Sequence, residues 1–458
     1  MKTLLIQNTT KATFFNDGYN AVNFLQDVDI LIRDGIIEKI DYGIPVPEGA
    51  EVIDGTGKLV FPGMTNCWSQ SLLSRVARVI AEDWNYSRFD DTPLYARAYP
   101  IVNIALDVLS DEALSAILEL SVYEAVRSGT TMTLEYCTER ELPIYLALCK
   151  KYDLRTIAFP MICNTGRYPE VDAWGNYTDC LQKTDEAAKV SRLKKMIEAQ
   201  QKTDQCVGVG VGSVETTDLS LMKKAADLAC EMDTFMMGQI NVTKRERTFC
   251  EERYHTTPAA VMINQGICGS HAILAGNLLS DHEERQQIRQ AETNAVIAAQ
   301  QSLLDARITP FIGFLIDDVT TMCGSGRCSP NMMKEMYALT LSGKVESGLR
   351  HQMAAHDAFY ASTVGPGKML GINTGQVEEG FMADLVIIDV SKPQHIPFTM
   401  PVAEIVYAAD ASDITHVIRR GKTICKDGVP LGAEESLKER ATKAFEYLWD
   451  EVRKRGAI

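Results

Sequence analysis

Strand-sized apolar runs alternate with helix-sized amphipathic runs through the middle of this 458-residue chain, and that alternation restricts it to repeated βα units around a parallel sheet. One unit shows the logic. Ser110 offers a helix cap, Asp111 and Glu112 favour the positive end, and Leu114, Ile117, Leu118, Val122 and Ala125 share one face before Gly129 stops the helix. The short β-branched run Thr130–Leu134 follows at once as a strand whose C-terminal edge delivers Glu135. By the same reasoning later strands end at Asn164, Ser213, Asn241, His271 and Asp317. In a βα barrel such positions share one mouth, where these folds do their chemistry.

Both chain ends have a different texture. From Leu4 to about Val60, short alternating runs are broken by Asp34-Gly35 and Pro45-Val46-Pro47, which predicts hairpins, and the stretch from about Ala383 to Gly428 is alike. The expected architecture is α/β: a (β/α)8 TIM barrel over 59–370, a small flanking β-sandwich built from 1–58 and 371–430, and a C-terminal helix within 431–458. That last helix, with Leu437, Ala441, Ala444, Phe445 and Leu448 on one face, is expected to cover the barrel or a subunit contact. The alternation Val207–Gly212 reads as a buried strand rather than a nucleotide loop, because no strand-then-helix GxGxxG context accompanies it.

A net charge of -15 argues against nucleic acid or an anionic membrane as partner. No run of about 18 apolar residues could span a bilayer, and the apolar run at the N-terminus is too short for a signal peptide, so a cytoplasmic protein of small-molecule chemistry is expected. Twelve cysteines are scattered singly, as reduced thiols are. Cys323 and Cys328 stand further apart than a Cys-x-x-Cys knuckle and read as part of an ordinary loop.

The run Val52–Gln70, with Gly57-Lys58, Pro62-Gly63 and Asn66 in place, resembles the first barrel strand of the amidohydrolase superfamily, in its cytosine/guanine deaminase and chlorohydrolase branch. There the stretch reads roughly G-K-x-V-x-P-G-x-x-N-x-H-x-H, so Trp68 and Gln70 occupy the two histidine positions. Ala361–Gly365, Leu370–Ile372, Gly375–Asp389 and Thr415–Lys422 follow the family's closing pattern. The resemblance implies a divalent ion held by two histidines after strand one, one after strand five and an aspartate after strand eight, with a histidine after strand six beside the bound water. At these places the resemblance puts Trp68 and Gln70, then Gln239 and Asn241 with Lys244 for the catalytic glutamate, His271, and Asp317; Ser213 replaces a fourth-strand histidine.

With those ligands replaced, no cofactor is expected, and the resemblance implies a metal-independent hydrolase acting on a small activated ring: a lactone, a cyclic dione or a ring C–N bond. Asp317 is the expected base, His271 the acid or electrostatic partner, and Lys244 the replacement positive charge. Trp68, Gln70, Glu135, Ser213, Glu215, Gln239, Asn241, Asp318 and Arg327 are the candidate substrate contacts. Each has a plainer reading: Trp68 as filler with its indole N–H bonded to a neighbour, Lys244 as a cation paired with Glu215 or Asp318, His271 and Asp317 as a relic pair. Two other functions stay open: a silent paralogue with a structural or regulatory role, and a metal site rebuilt from His271, Asp317 and nearby Glu135, Glu215 or Asp318. Homo-oligomers are common among the apparent relatives.

Overall fold

The computed structural model describes residues 3–14, 22–76, 78, 94–171, 179–200 and 203–457. Strands β1 (Thr3–Phe14), β2 (Val22–Arg33), β3 (Ile36–Asp41), β4 (Glu51–Asp54) and β5 (Lys58–Pro62) open the chain. The barrel strands follow: β6 (Met64–Ser69), β7 (Thr130–Cys137), β8 (Arg155–Ile162), β9 (Gln205–Val207) with β10 (Val209–Val211), β11 (Met236–Ile240), β12 (Ala272–Gly276), β13 (Asn294–Ile297) and β14 (Thr321–Cys323). The chain ends with β15 (Leu385–Asp389), β16 (Ile414–Arg419), β17 (Lys422–Lys426) and β18 (Val429–Pro430).

Eight parallel strands in the order β14-β13-β12-β11-β10-β8-β7-β6 form the barrel wall, and a parallel bridge from Ser69 to Gly326 joins its two edges. The Val207–Gly212 run is the buried fourth strand, as its alternation predicts. A Cβ on Gly210 would stand 2.5 Å from the Phe159 carbonyl oxygen, so only glycine lets β10 lie this close to β8. A second nine-stranded sheet joins the chain ends, with β15 antiparallel to β5 from Leu385 opposite Pro62 to Asp389 opposite Lys58. It has its own core, which includes Leu4, Ile6, Ile30, Val60, Leu385 and Ile387.

The Ser110 cap forms as read: its hydroxyl accepts the Ala113 N–H at 3.3 Å, and the helix Asp111–Arg127 buries Leu114, Ile117, Leu118, Val122 and Ala125. The closing helix, Leu437–Lys454, lays Ala441, Ala444 and Leu448 over that helix, on the outside of the barrel.

Two strand assignments are corrected. β12 begins at Ala272, so His271 enters the strand instead of ending it; Gly266 and Gly269, both at positive φ, make 266–271 a turn. The apolar run Phe311–Ile316 is a helix whose first N–H groups, those of Ile312 and Gly313, are held by the Glu346 carboxylate. Six apolar residues suit either element by periodicity, and the contact with Glu346 decides. The eighth strand is therefore Thr321–Cys323, and Asp317 precedes it.

Candidate active site at the mouth of the barrel

The first and fifth strands supply two amides that meet across the mouth. Gln70, directly after β6, donates from Nε2 to Oε1 of Gln239 in β11 at 3.3 Å, and both are buried. Gln239 also hydrogen bonds the Tyr99 hydroxyl. Trp68 is wholly buried in β6, and its indole N–H has no hydrogen-bond partner among the described residues, against the expected neighbour bond. Gly324 and Gly326 let the loop after β14 close on it: a Cβ would come 2.4 Å from the Trp68 backbone nitrogen at the first and 3.0 Å from its ring at the second.

Next to this pair lies a buried acid–phenol network. Glu215, four residues beyond β10, accepts a hydrogen bond from the Tyr95 hydroxyl at 2.6 Å and faces the Arg245 guanidinium at 3.6 Å. The Tyr95 hydroxyl also stands 2.9 Å from Oγ1 of Thr243. Thr243 caps the helix Lys244–Tyr254 and accepts the Glu246 N–H at 3.1 Å, while Glu246 turns back so that one carboxyl oxygen accepts the Val242 N–H at 3.2 Å. The other Glu246 oxygen is buried with no partner among the described residues. Burial pushes this carboxyl well above the usual range, and the neighbouring Glu215 charge pushes it further, both favouring its protonated form. Burial likewise raises the Tyr95 and Tyr99 hydroxyls. Glu135, at the mouth end of β7, is pushed up to about 7 by burial, against the pull of hydrogen bonds from Ser71 and Ser69.

Of the residues expected at the mouth, Trp68, Gln70, Glu135, Glu215 and Gln239 belong to this constellation. Ser213 follows β10 at the mouth, with its hydroxyl 3.4 Å from that of Thr216. Arg327 lies in the loop after β14, buried and ion-paired to Asp305, and its charge reaches the Tyr99 hydroxyl.

The rest are corrected. Asn241 takes a left-handed backbone turn, φ 53°, which swings its amide out to Ser280 at 2.9 Å and Glu284 at 2.8 Å, so Gln239 alone represents that strand in the mouth. Lys244 is the exposed first residue of its helix, and Arg245 instead faces Glu215. The Thr243-x-x-Glu246 pattern signals such a capped helix start. His271 is exposed at the entry of β12, where its carbonyl accepts the Met236 N–H at the foot of β11, the end of the barrel opposite the mouth. Asp317 binds the helix His282–Gln290 outside the barrel wall, through Arg285 at 2.6 Å, Gln286 at 2.9 Å and His282 at 3.1 Å. Burial would raise its carboxyl, but these bonds, Arg285 foremost, hold it below the usual range. Asp318 pairs with Arg289 of the same helix at 2.9 Å. No Asp317–His271 pair forms. Tyr95, Tyr99, Arg245 and Glu246 were not singled out in the sequence; of these only Glu246 carried a local signal, its cap pattern.

The donor chemistry does not fit the ion that the resemblance implies. An indole N–H cannot ligate, neutral amides bind transition metals weakly, and Gln70 and Gln239 are bound to each other. Among the described residues no three His, Cys, Asp or Glu side chains stand together in a group able to hold a metal ion.

Compared with known proteins, the Amidohydrolase family matches residues 75–424. The chain is 24% identical to the 5-methylthioadenosine/S-adenosylhomocysteine deaminase of Caldicellulosiruptor saccharolyticus, covering 98% of this chain and 99% of that protein. It is 22% identical to the 5'-deoxyadenosine deaminase of Methanosphaera stadtmanae, covering 88% and 91%. An adenosine deaminase structure from Xanthomonas campestris with bound zinc superposes with a TM-score of 0.84 at 16% identity, covering 98% of both chains.

Proposed function

We propose, from the premise that the chain belongs to the amidohydrolase family, that it is a hydrolase which displaces an amino group from an electron-poor nitrogen ring of the adenosine-analogue class. The observation that carries this reading is the buried Glu215–Tyr95–Glu246 network at the ends of β10 and β11, in a chain that matches deaminases nearly end to end. Those relatives favour an amino-substituted ring over a lactone or a cyclic dione.

The chemistry is acid–base catalysis with carboxyl groups. Glu215 accepts a proton from water as its oxygen bonds to the ring carbon bearing the amine, and the C=N electron pair moves to the ring nitrogen, which takes the proton of Glu246. The proton on Glu215 then passes to the amine, the C–N bond breaks as the hydroxyl closes to a carbonyl and gives its proton back to Glu246, and ammonia leaves. Tyr95 holds Glu215 in place, and Arg245 offsets negative charge beside it. The Gln70–Gln239 pair offers an amide face to the edge of a heterocycle, and Trp68 forms the wall behind it.

The test is ammonia release from adenosine, 5'-deoxyadenosine and 5-methylthioadenosine, with and without a strong chelator. The expected result is turnover that survives chelation and drops about 100-fold or more in Glu215→Gln. Activity should also fall as rising pH strips the proton from Glu246. Turnover lost on chelation and restored by zinc would overturn the metal-free step. The full burial of Trp68 favours a second reading, a catalytically silent barrel, and absence of ammonia release from all three nucleosides, with no binding of them, would select it.

A further inference from the structure

Gln70 enters the mouth with its backbone held on both sides. Its own N–H donates to the Gly326 carbonyl at 3.2 Å, and the next N–H, that of Ser71, donates to the buried Glu135 carboxylate at 2.6 Å. The side chain is held as well, since one amide N–H is spent on Gln239, whose own amide bonds the Tyr99 hydroxyl. That hydroxyl feels the charges of Glu215 and Glu246, so the amide pair lies within electrostatic reach of both carboxyl groups of the reaction. A carboxamide offers two donor hydrogens and an oxygen with two acceptor sites, and the bond to Gln239 uses one of these. Gln70 therefore keeps its oxygen and its second N–H side by side in the mouth, with neither bonded to a protein group among the described residues.

We propose that Gln70 reads the edge of a 6-aminopurine through two hydrogen bonds, its oxygen accepting from the amine that is displaced and its N–H donating to ring nitrogen N7. The proposal rests on the deaminase reading above. In that reading water attacks the C=N bond between C6 and N1, and N1 takes the proton of Glu246. N7, on the other side of the amine, is the acceptor that remains. A planar amide matches an amine and N7 at two points, which is how glutamine and asparagine side chains select adenine from the other bases in a duplex. Held this way, the amine keeps one N–H on Gln70 while its lone pair is turned out to take the proton of Glu215. The product carries a carbonyl where the amine was, an acceptor set against the Gln70 oxygen, and the bond to Gln239 opposes the amide flip that would relieve it. The contact that holds the substrate therefore weakens the hold on the product.

The test is kcat/KM for ammonia release from adenosine and from 7-deazaadenosine, in which C–H replaces N7, for wild type, Gln70→Leu and Gln70→Asn. Removing N7 changes the reactivity of the ring itself by the same factor in every form of the enzyme, so the ratio between the two nucleosides is compared across the three. The expected ratio is about 10- to 100-fold larger in wild type than in Gln70→Leu, with the loss falling on adenosine. Gln70→Asn keeps the amide but withdraws it by one methylene, and it should narrow the ratio in the same direction; it replaces Gln70→Leu if far-ultraviolet dichroism shows the latter unfolded. A folded variant that slows both nucleosides alike and keeps the wild-type ratio overturns the proposal, because Gln70 then acts only on the shape of the mouth. Absence of ammonia release from either nucleoside in wild type sinks the deaminase reading on its own, and calorimetric dissociation constants for the same two nucleosides then decide on Gln70. A preference for adenosine present in wild type and lost in the variants supports the contact; equal affinities in wild type, or no binding, overturn it.

Discussion

Glu135 shows how a residue legible in the sequence acquires its chemistry from its surroundings. The strand pattern places it at the mouth, but only the fold buries it completely and sets its carboxyl at about 7, against an ordinary 4.5. A folded-state value above the unfolded one means that the contribution is fully present below about pH 4.5 and is lost as pH rises through 7. The loss amounts to roughly 3 kcal/mol, on the scale of 1.36 kcal/mol per unit. Denaturant titrations at pH 4.5 and pH 8 should show that Glu135→Gln loses less stability than wild type across this interval; equal losses would remove the assignment. Gln70 and Gln239 were likewise visible in the sequence, but their bond across the barrel was not, because 169 residues separate them.

At the scale of elements, capped helices and β-branched strands are legible in the sequence, and short apolar runs are legible only where alternation marks them, as at Val207–Gly212. The helix Asp111–Arg127 and β7 follow from a cap, a face and a glycine stop, all local signals. Gly129 at that stop has φ +91°, and a Cβ there would come 2.8 Å from Met64 and 3.0 Å from Val386. Gly129→Ala should therefore destabilise the protein by about 1–3 kcal/mol in denaturant titrations, through both strain and crowding. In contrast, the strand reading of Ile267–His271 and Ile312–Asp317 fails, because Ile-Cys-Gly-Ser-His is too short and mixed to show a period and the apolar run Phe311–Ile316 suits helix and strand alike. Strand pairing for β12 and the Glu346 contact for the helix Phe311–Ile316 settled them. That error moved His271 and Asp317 into a mouth they do not reach.

Across the whole molecule, the sheet from the chain ends is locked to the foot of the barrel by ions. Arg419 of β16 is buried and pairs with Asp153 and, at 2.7 Å, with Asp204, while Arg155 at the start of β8 approaches Asp384 at 3.8 Å. Removing one member of such a pair strands the others away from water. Arg419→Met should lower unfolding free energy by about 3 kcal/mol, and Asp153→Asn with Asp204→Asn in the same background should add less than in wild type. Strict additivity in that cycle would show that the three do not act together.

The sequence by itself determined the α/β class, the joining of the two chain ends into one sheet, and the absence of histidine from the first-strand ligand positions. Periodicity, capping residues and motif spacing are properties of neighbouring residues, so they survive without coordinates. Only the tertiary structure decided that Tyr95, Tyr99, Arg245 and Glu246 join Glu215 and Gln239, and that Asn241, His271 and Asp317 turn elsewhere. Convergence depends on strand ends fixed to within one residue and on backbone turns such as that at Asn241, and both are set by pairing between segments far apart in the chain.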